Sequence, residues 1–500
     1  MRVSETRVLI VGAGAAGLTL AIDLARRNVP FRLIEKLEQP FVGSKGKGLQ
    51  PRSLEILEDL GLIQGVLELG QVYPPVWNYE GIEVVRRAPS EVRLPTSAEP
   101  YPNSLMLPQW KTEAVMRHRL GELGGAVEFG VELTGFEAGE QAVVARLATA
   151  AGEETVACDY LVGTDGGRSF VRRALDIGFP GERRPFRMVL ADMAIDNLSR
   201  EAWHRWPQAP GGQLSLCPLA GTDLFQVAAE VAEGEDPPLT LDYFRGLISQ
   251  RSGRQDLIGH PPSWTSVYSA NFRLADRYRV GRVLIAGDAA HAHPPTGGQG
   301  LNTAIQDAYN LGWKLARVLD GADARLLDSY EAERRPIAAG VLNLSASLLD
   351  AMNQRHDMRR GRETLQLDLS YRGSILAQEL RAQPRRVQAG DRAPDAAYLD
   401  ADGVRRRLFE RFQGPDFVLL GYGCAPEALD QIAAAARSPL TCMAIAASAE
   451  GELARDYDLT GPALILVRPD GYIGLAADPA DGAAVADYLN ALAPPCAQIA

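Results

Sequence analysis

The stretch Arg7-Val8-Leu9-Ile10-Val11-Gly12-Ala13-Gly14-Ala15-Ala16-Gly17 decides the fold. An apolar run of strand length ends at Val11, and Leu18-Thr19-Leu20-Ala21-Ile22-Asp23-Leu24-Ala25 follows with the apolar spacing of a helix. Strand, glycine turn and helix in that order are what a dinucleotide-binding unit requires. Gly12 permits the tight turn, Gly14 lets backbone approach a pyrophosphate, and Gly17 lets helix pack closely on strand. Ala15 and Ala16 open the helix whose N-terminus faces the phosphates. A second strand, Pro30-Phe31-Arg32-Leu33-Ile34, then delivers Glu35, with Lys36 beside it, about twenty residues on, where a carboxylate accepts from ribose hydroxyls.

Five hundred residues exceed one ordinary core, so two or three domains are expected. The formal charge of −11 argues against nucleic acid as a partner. No apolar stretch approaches the roughly 18 residues of a membrane span, and the first strand begins so near Met1 that no signal peptide is expected. Cys158, Cys217, Cys424, Cys442 and Cys496 are scattered without a CxxC or a metal-ligand spacing, which suits a reducing, cytoplasmic setting. His291 and His293 stand near Asp288 without further ligands around them, so no metal is expected.

Along the chain, the Gly43-Ser44-Lys45-Gly46-Lys47-Gly48 loop interrupts the nucleotide unit and is expected to be mobile. A buried strand, Asp159 to Gly163, ends at Thr164-Asp165-Gly166. From 181 to 271 the pattern turns to strands: Val189, Ala191, Met193 and Ile195 alternate with Asp192 and Asp196, which predicts one apolar face and one wet face. Leu214 to Leu216 and Leu224 to Val227 read as a hairpin. Arg282 to Ala286 then returns the chain to the nucleotide unit as a buried strand. It runs into Gly287-Asp288-Ala289-Ala290-His291-Ala292-His293-Pro294-Pro295-Thr296-Gly297-Gly298-Gln299-Gly300 and a helix striped by Leu301, Ile305, Ala308, Leu311, Leu315 and Leu319. Helix is expected again from Pro336 to about residue 382, before a small α/β unit with strands at 416–421 and 463–471. No second GxGxxG occurs, so a hydride donor has no nucleotide fold of its own.

With the Gly12–Gly17, Asp165-Gly166 and Gly287–Gly300 motifs in this order, the chain resembles the class A FAD-dependent aromatic hydroxylases of para-hydroxybenzoate hydroxylase fold. The tail resembles the thioredoxin-like domain, without a redox CxxC, of the phenol and polyketide hydroxylases. The resemblance implies an α/β fold: a Rossmann-like FAD-binding domain with an inserted antiparallel β-sheet substrate domain, plus a C-terminal thioredoxin-like α/β domain. The expected FAD-binding parts are 1–72, 102–180 and 272–345. Substrate-domain strands are expected over 73–101 and 181–271, a helical linker over 346–385 and the thioredoxin-like domain over 386–500.

The resemblance also implies chemistry. FAD is the cofactor, NADPH or NADH a transient hydride donor, and O2 and a small aromatic molecule the partners of a monomer or homodimer. Reduced flavin would form a C4a-hydroperoxide that hydroxylates a phenolic or polycyclic polyketide-like ring. A reductase or epoxidase of the same fold, or a non-catalytic flavin-binding protein, are the alternatives. A flavin halogenase is disfavoured because Trp203-His204-Arg205-Trp206-Pro207 is not its WxWxIP signature.

By resemblance, the first motif binds the ADP half of FAD, Arg52 its phosphates and Gln109 the cofactor beside the flavin. The segment at Asp165 lies near flavin and nicotinamide, Asp288 holds the ribityl chain, and Pro295, Gly298, Gly300, Leu301 and Asn302 run along the isoalloxazine. Pro295 is also a catalytic candidate. Bare backbone N–H groups at Gly297, Gly298 and Gly300 suit the pyrimidine edge of a flavin that gains negative charge on reduction. Lys45 and Lys47 are expected to border the moving flavin or to draw the donor's phosphates. Trp77, Met193, Trp203, Phe225 and Tyr268 are expected to line the substrate, with His204 and Tyr73 as candidates for its base.

Overall fold

In the computed structural model, which describes residues 3–90, 92–294, 297–353, 361–400, 402–448 and 451–494, the first strand, Val3–Val11, lies at the centre of a sheet. It pairs in parallel with Gly152–Gly163 on one side and Phe31–Glu35 on the other, and Val283–Ile285 adds in parallel beyond the former. Val11 is level with Gly163 and Ile34, and Gly163 with Ile285. The carboxyl ends of these four strands therefore stop at one height, and the three motifs and Glu35 at those ends open onto the same crevice. That is where an open parallel sheet binds its ligand.

The inserted domain is a nine-stranded, largely antiparallel sheet in which Gly181–Asp196 sits between Leu224–Val231 and Trp264–Leu274. Val76–Glu80 and Glu83–Ala88 close its far edge beside Trp203–Trp206. The strand ending at Leu274 outruns the expected limit at 271. Alternation gives this sheet two faces. The outer face, with Val189, Met193, Leu216, Phe225 and Trp206, packs on the Leu241–Ser252 helix through Phe244 and Ile248. The inner face turns toward the nucleotide domain and is dry at Asp192, which is 1% exposed, while Asp196 at the strand's end is exposed as expected. The Asp192 carboxylate takes hydrogen bonds from the backbone N–H and hydroxyl of Ser44.

Two long helices, Gly300–Leu319 and Asp328–Asn353, complete the nucleotide domain. Pro336 lies inside the second helix rather than at its start. The expected helical linker is corrected: described residues from 361 to 385 are turns, one short 3-10 segment and the strand Gln378–Glu379. That strand joins the C-terminal sheet in the order Gln378–Glu379, Ile473–Ala477, Ala463–Val467, Phe417–Tyr422, Leu440–Ile445. Helices Pro426–Ala435 and Gly482–Ala491 flank it in a thioredoxin-like arrangement. Cys424 and Cys442 are free thiols whose pKa values burial raises, so neither is poised as a thiolate.

Candidate functional site

The glycine turn is built by close approach. A β-carbon on Gly12, whose φ is +103°, would lie 2.6 Å from the Thr164 carbonyl oxygen, and one on Gly17 would lie 2.0 Å from the Gly12 oxygen. Turn, second motif and first helix are thus in backbone contact. Gly17→Ala is expected to destabilise the protein by about 1–3 kcal/mol and to strip its flavin, read by thermal melting and flavin content; a stable, yellow variant would contradict this packing.

Glu35 reaches the same turn. Its carboxylate accepts from the Ala13 N–H at 3.0 Å and from the Leu37 N–H at 3.0 Å, while Lys36 is exposed at the rim. Asp165 caps the next short helix, Oδ2 accepting from Phe170 N at 2.7 Å and Val171 N at 3.1 Å. Asp288 opens into the crevice, and the protein around its carboxyl disfavours charge and raises its pKa, against the pull of His291 and Lys45. Behind it, Asp307 accepts from the Gly287 N–H at 3.2 Å, His291 Nε2 at 2.8 Å and Arg334 Nε at 2.7 Å. This buried cluster fixes the turn on which Asp288 stands.

The third motif meets the Gly/Lys loop across the crevice. A β-carbon on Gly46 would lie 3.5 Å from both Gln109 Oε1 and Leu301, and one on Gly300 would lie 2.9 Å from the His293 ring. Gln109 Oε1 accepts from the Gly46 N–H at 3.1 Å. Asn302 uses its side chain within the protein: Oδ1 accepts from Gln50 N, and Nδ2 donates to the carbonyls of Gly48 and Gly298. What it could offer a flavin is therefore backbone. Gly298 has φ +66°, a conformation open to glycine. Pro295 lies outside the described residues.

The loop itself is fastened, contrary to the expected mobility. Ser44 is fully buried; Gln226 Nε2 donates to its carbonyl and hydroxyl, and Lys47 Nζ donates to Gln226 Oε1. Lys47 also rests 4.5 Å from the Trp203 ring centre, and Lys45 lies 5.2 Å from that of Phe41.

Several expected roles change. Arg52 turns away from the crevice: it donates to Glu55 at 2.9 Å and to the Asp470 carbonyl of the C-terminal domain at 2.7 Å. Its guanidinium is committed to an interdomain contact and is not a phosphate ligand here. His204 lies on the outer face of the inserted sheet, both ring nitrogens occupied, Nδ1 with Tyr79 Oη and Nε2 with the Ser199 carbonyl, each at 2.7 Å. Burial lowers its pKa, and it is a structural residue, not a base. Trp77, Met193 and Phe225 belong to that same outer core and line no substrate. Trp203 and Tyr73 do face inward, stacked at 6.1 Å, with the Tyr73 hydroxyl donating to the Lys47 carbonyl. Tyr268 faces inward too, near Asp288.

Glu113 and Arg117 were not among the expected residues. Glu113 is buried beneath the glycine turn, accepting from Gln109 Nε2 at 2.8 Å, and Arg117 follows one helical turn later. The sequence signal was a helix face carrying Gln109, Glu113 and Arg117 at four-residue spacing.

Asp165 Oδ1, Tyr268 Oη and His293 Nε2, on or beside the second and third motifs, are among the buried polar atoms of the described residues without a hydrogen-bond partner. Unmet polar atoms rimming one crevice mark where a polar ligand belongs, and a glycine turn, an acid at the second strand and bare backbone at a helix N-terminus fit a flavin dinucleotide. No group of three His, Cys, Asp or Glu among the described residues could hold a metal ion, and none of their helices is long and apolar enough to cross a membrane.

Residues 5–345 match the model of an FAD binding domain, and residues 386–494 match that of the aromatic-ring hydroxylase C-terminal domain. A flavin-dependent monooxygenase of Mycobacteroides abscessus is 41% identical over 96% of this chain and 99% of its own. The 12-dehydrotetracycline 5-monooxygenase/anhydrotetracycline 6-monooxygenase of Streptomyces rimosus is 35% identical over 95% and 96%. Aklavinone-11 hydroxylase, solved with FAD and aklavinone, superposes with a TM-score of 0.83 at 27% identity over 98% and 99%. The chain belongs to the FAD-dependent aromatic-ring hydroxylases. It is a flavin-dependent monooxygenase of aromatic substrates, with FAD as cofactor and NAD(P)H as hydride donor.

Proposed function

We propose that this monooxygenase hydroxylates a fused-ring phenol lying between the inner face of the inserted sheet and the Asp328–Asn353 helix. The observation that carries this reading is Tyr268. Its ring sits in an apolar strip with Met188, Leu342 and Ala346, yet its buried hydroxyl has no partner among the described residues. Burial, with Asp288 adding, pushes its pKa up, so the group stays a neutral donor at working pH. A flat apolar wall with one convergent polar group is how a site orients a planar phenol. Relatives named for tetracycline compounds support the fused-ring class.

FAD, when bound, supplies hydride acceptance and oxygen activation. The chain's residues do the rest. The glycine turn takes the diphosphate, Glu35 the adenosine ribose, Asp288 the ribityl hydroxyls, and backbone at Gly297, Gly298 and Gly300 the pyrimidine edge. Ser44, Asp192 and Gln226 seal the loop against the sheet and keep water from the reacting centre. Tyr268 donates to the phenolic oxygen and aims the ring. The protein works in the cytoplasm, where its thiols stay reduced.

Titrating fused-ring and monocyclic phenols into the FAD-loaded protein, with the flavin spectrum as readout, tests this. Fused-ring phenols are expected to bind more tightly, and Tyr268→Phe to weaken them about 5- to 10-fold, one neutral hydrogen bond. The monocyclic arm has its own relative, a pentachlorophenol 4-monooxygenase of Sphingobium chlorophenolicum. Preference for single rings, or indifference to the tyrosine hydroxyl, would overturn the assignment.

A further inference from the structure

The Gln109–Glu122 helix carries an acid that none of the roles above employs. Glu113 is 2% exposed, with Oε1 2.8 Å from Gln109 Nε2 and 3.8 Å from where a β-carbon on Gly14 would stand. The Ala15 N–H, at the start of the phosphate-facing helix, also points to this carboxyl. The charged groups acting on it are few. Arg117, half-buried on the same helix, attracts it, and Glu35, from the second strand, repels it. Gln109 and the main chain of the turn are neutral. Burial dominates this balance, and the carboxyl is pushed up to about 7.

The glycine turn would bring a doubly charged diphosphate to the same helix N-terminus. An ionised Glu113 would then face two like charges across ground poorly screened by water. A proton removes the conflict, and a neutral acid still accepts from Gln109 and Ala15 through its carbonyl oxygen. We propose that Glu113 takes up a proton when the FAD diphosphate binds, so that the affinity for FAD is tied to pH through this one residue. The proposal rests on the reading of the glycine turn as the diphosphate site.

The sign follows from linkage. Below pH 7 the free protein already carries the proton and affinity is flat; above it, each pH unit weakens FAD binding by about tenfold until the raised pKa of the complex is passed. The test uses the full chain stripped of FAD, with calorimetric titration of FAD from pH 6 to 9 in two buffers of different ionisation enthalpy. Wild type is expected to take up about one proton per FAD at pH 8 and to lose affinity as pH rises. Glu113→Gln is expected to bind with a flat profile and no uptake. Wild-type binding without proton uptake, or a Gln variant that keeps the slope, would overturn the proposal. The proton count on the unaltered chain decides the matter even should the variant fold poorly. A wild-type chain that binds no FAD at any pH would instead overturn the glycine-turn reading, and the proposal with it.

Discussion

Asp288→Ala is expected to leave the protein largely without flavin, its Kd for FAD weakened about 10- to 150-fold. The strand Val283–Ile285 ends level with its neighbours and delivers Asp288 into the shared crevice, where its carboxyl faces no cation among the described residues closely enough to be an ion pair. A carboxylate aimed at a chain of hydroxyls contributes about 1.5–3 kcal/mol through its charged hydrogen bonds, which is that range of affinity. The fold should survive, because the turn is held by Asp307 through Gly287 and His291, not by Asp288 itself. The checks are the ratio of flavin to protein absorbance after purification and the FAD Kd of the stripped chain. A fully loaded, active variant would show that the third motif does not grip the ribityl chain.

A second large effect is expected at the joint with the C-terminal domain. Glu333, Lys314, Arg468 and Asp470 form an ion cluster of near-zero exposure. Glu333 accepts from Lys314 Nζ at 2.6 Å and from both terminal nitrogens of Arg468 at 2.7 and 2.9 Å, and Arg468 also pairs with Asp470. Burial opposes the charge on Glu333, but Arg468 and Lys314 outweigh it and hold its pKa well below the usual carboxylate range. Removing this one anion takes from Lys314 its carboxylate and leaves two buried cations to share the single charge of Asp470, so Glu333→Ala is expected to cost about 3–5 kcal/mol of stability, measured by chemical denaturation. Because the folded pKa is depressed, this stabilisation is present at neutral pH and is lost only as pH falls through it. A variant within about 1 kcal/mol of wild type would mean that the C-terminal domain is not locked to the helices carrying the flavin site.

The nucleotide domain was legible because its signals are local. Gly12 and Gly17 stand where backbones touch, Gly287 stands against the β-carbons of Ala16 and Ala304, and Gly12 and Gly287 each follow a strand end that the apolar runs announce. The inserted sheet was half legible. Period-two alternation separates Met193 from Asp192 but does not say which face meets the flavin, and a carboxylate on the inner face was taken for one in water. His204, Trp77 and Phe225 were misassigned for the same reason. Arg52 follows a different logic: its partner, the Asp470 carbonyl, is 418 residues away, and no pattern near Arg52 foretells it. The linker was read as helix through residue 382, whereas Gln378 and Glu379 pair with Leu475 and Ala476 as an edge strand.

The central claim is that the crevice between the three motifs supports transfer of one oxygen atom from O2 to an aromatic ring. The purified yellow protein, given NADPH, 18O2 and the fused-ring phenol it binds best, is expected to release that phenol heavier by a single 18O atom, with one NADPH oxidised per product. A product whose added oxygen carries no label and so came from water, or turnover that proceeds unchanged without oxygen, would contradict the account.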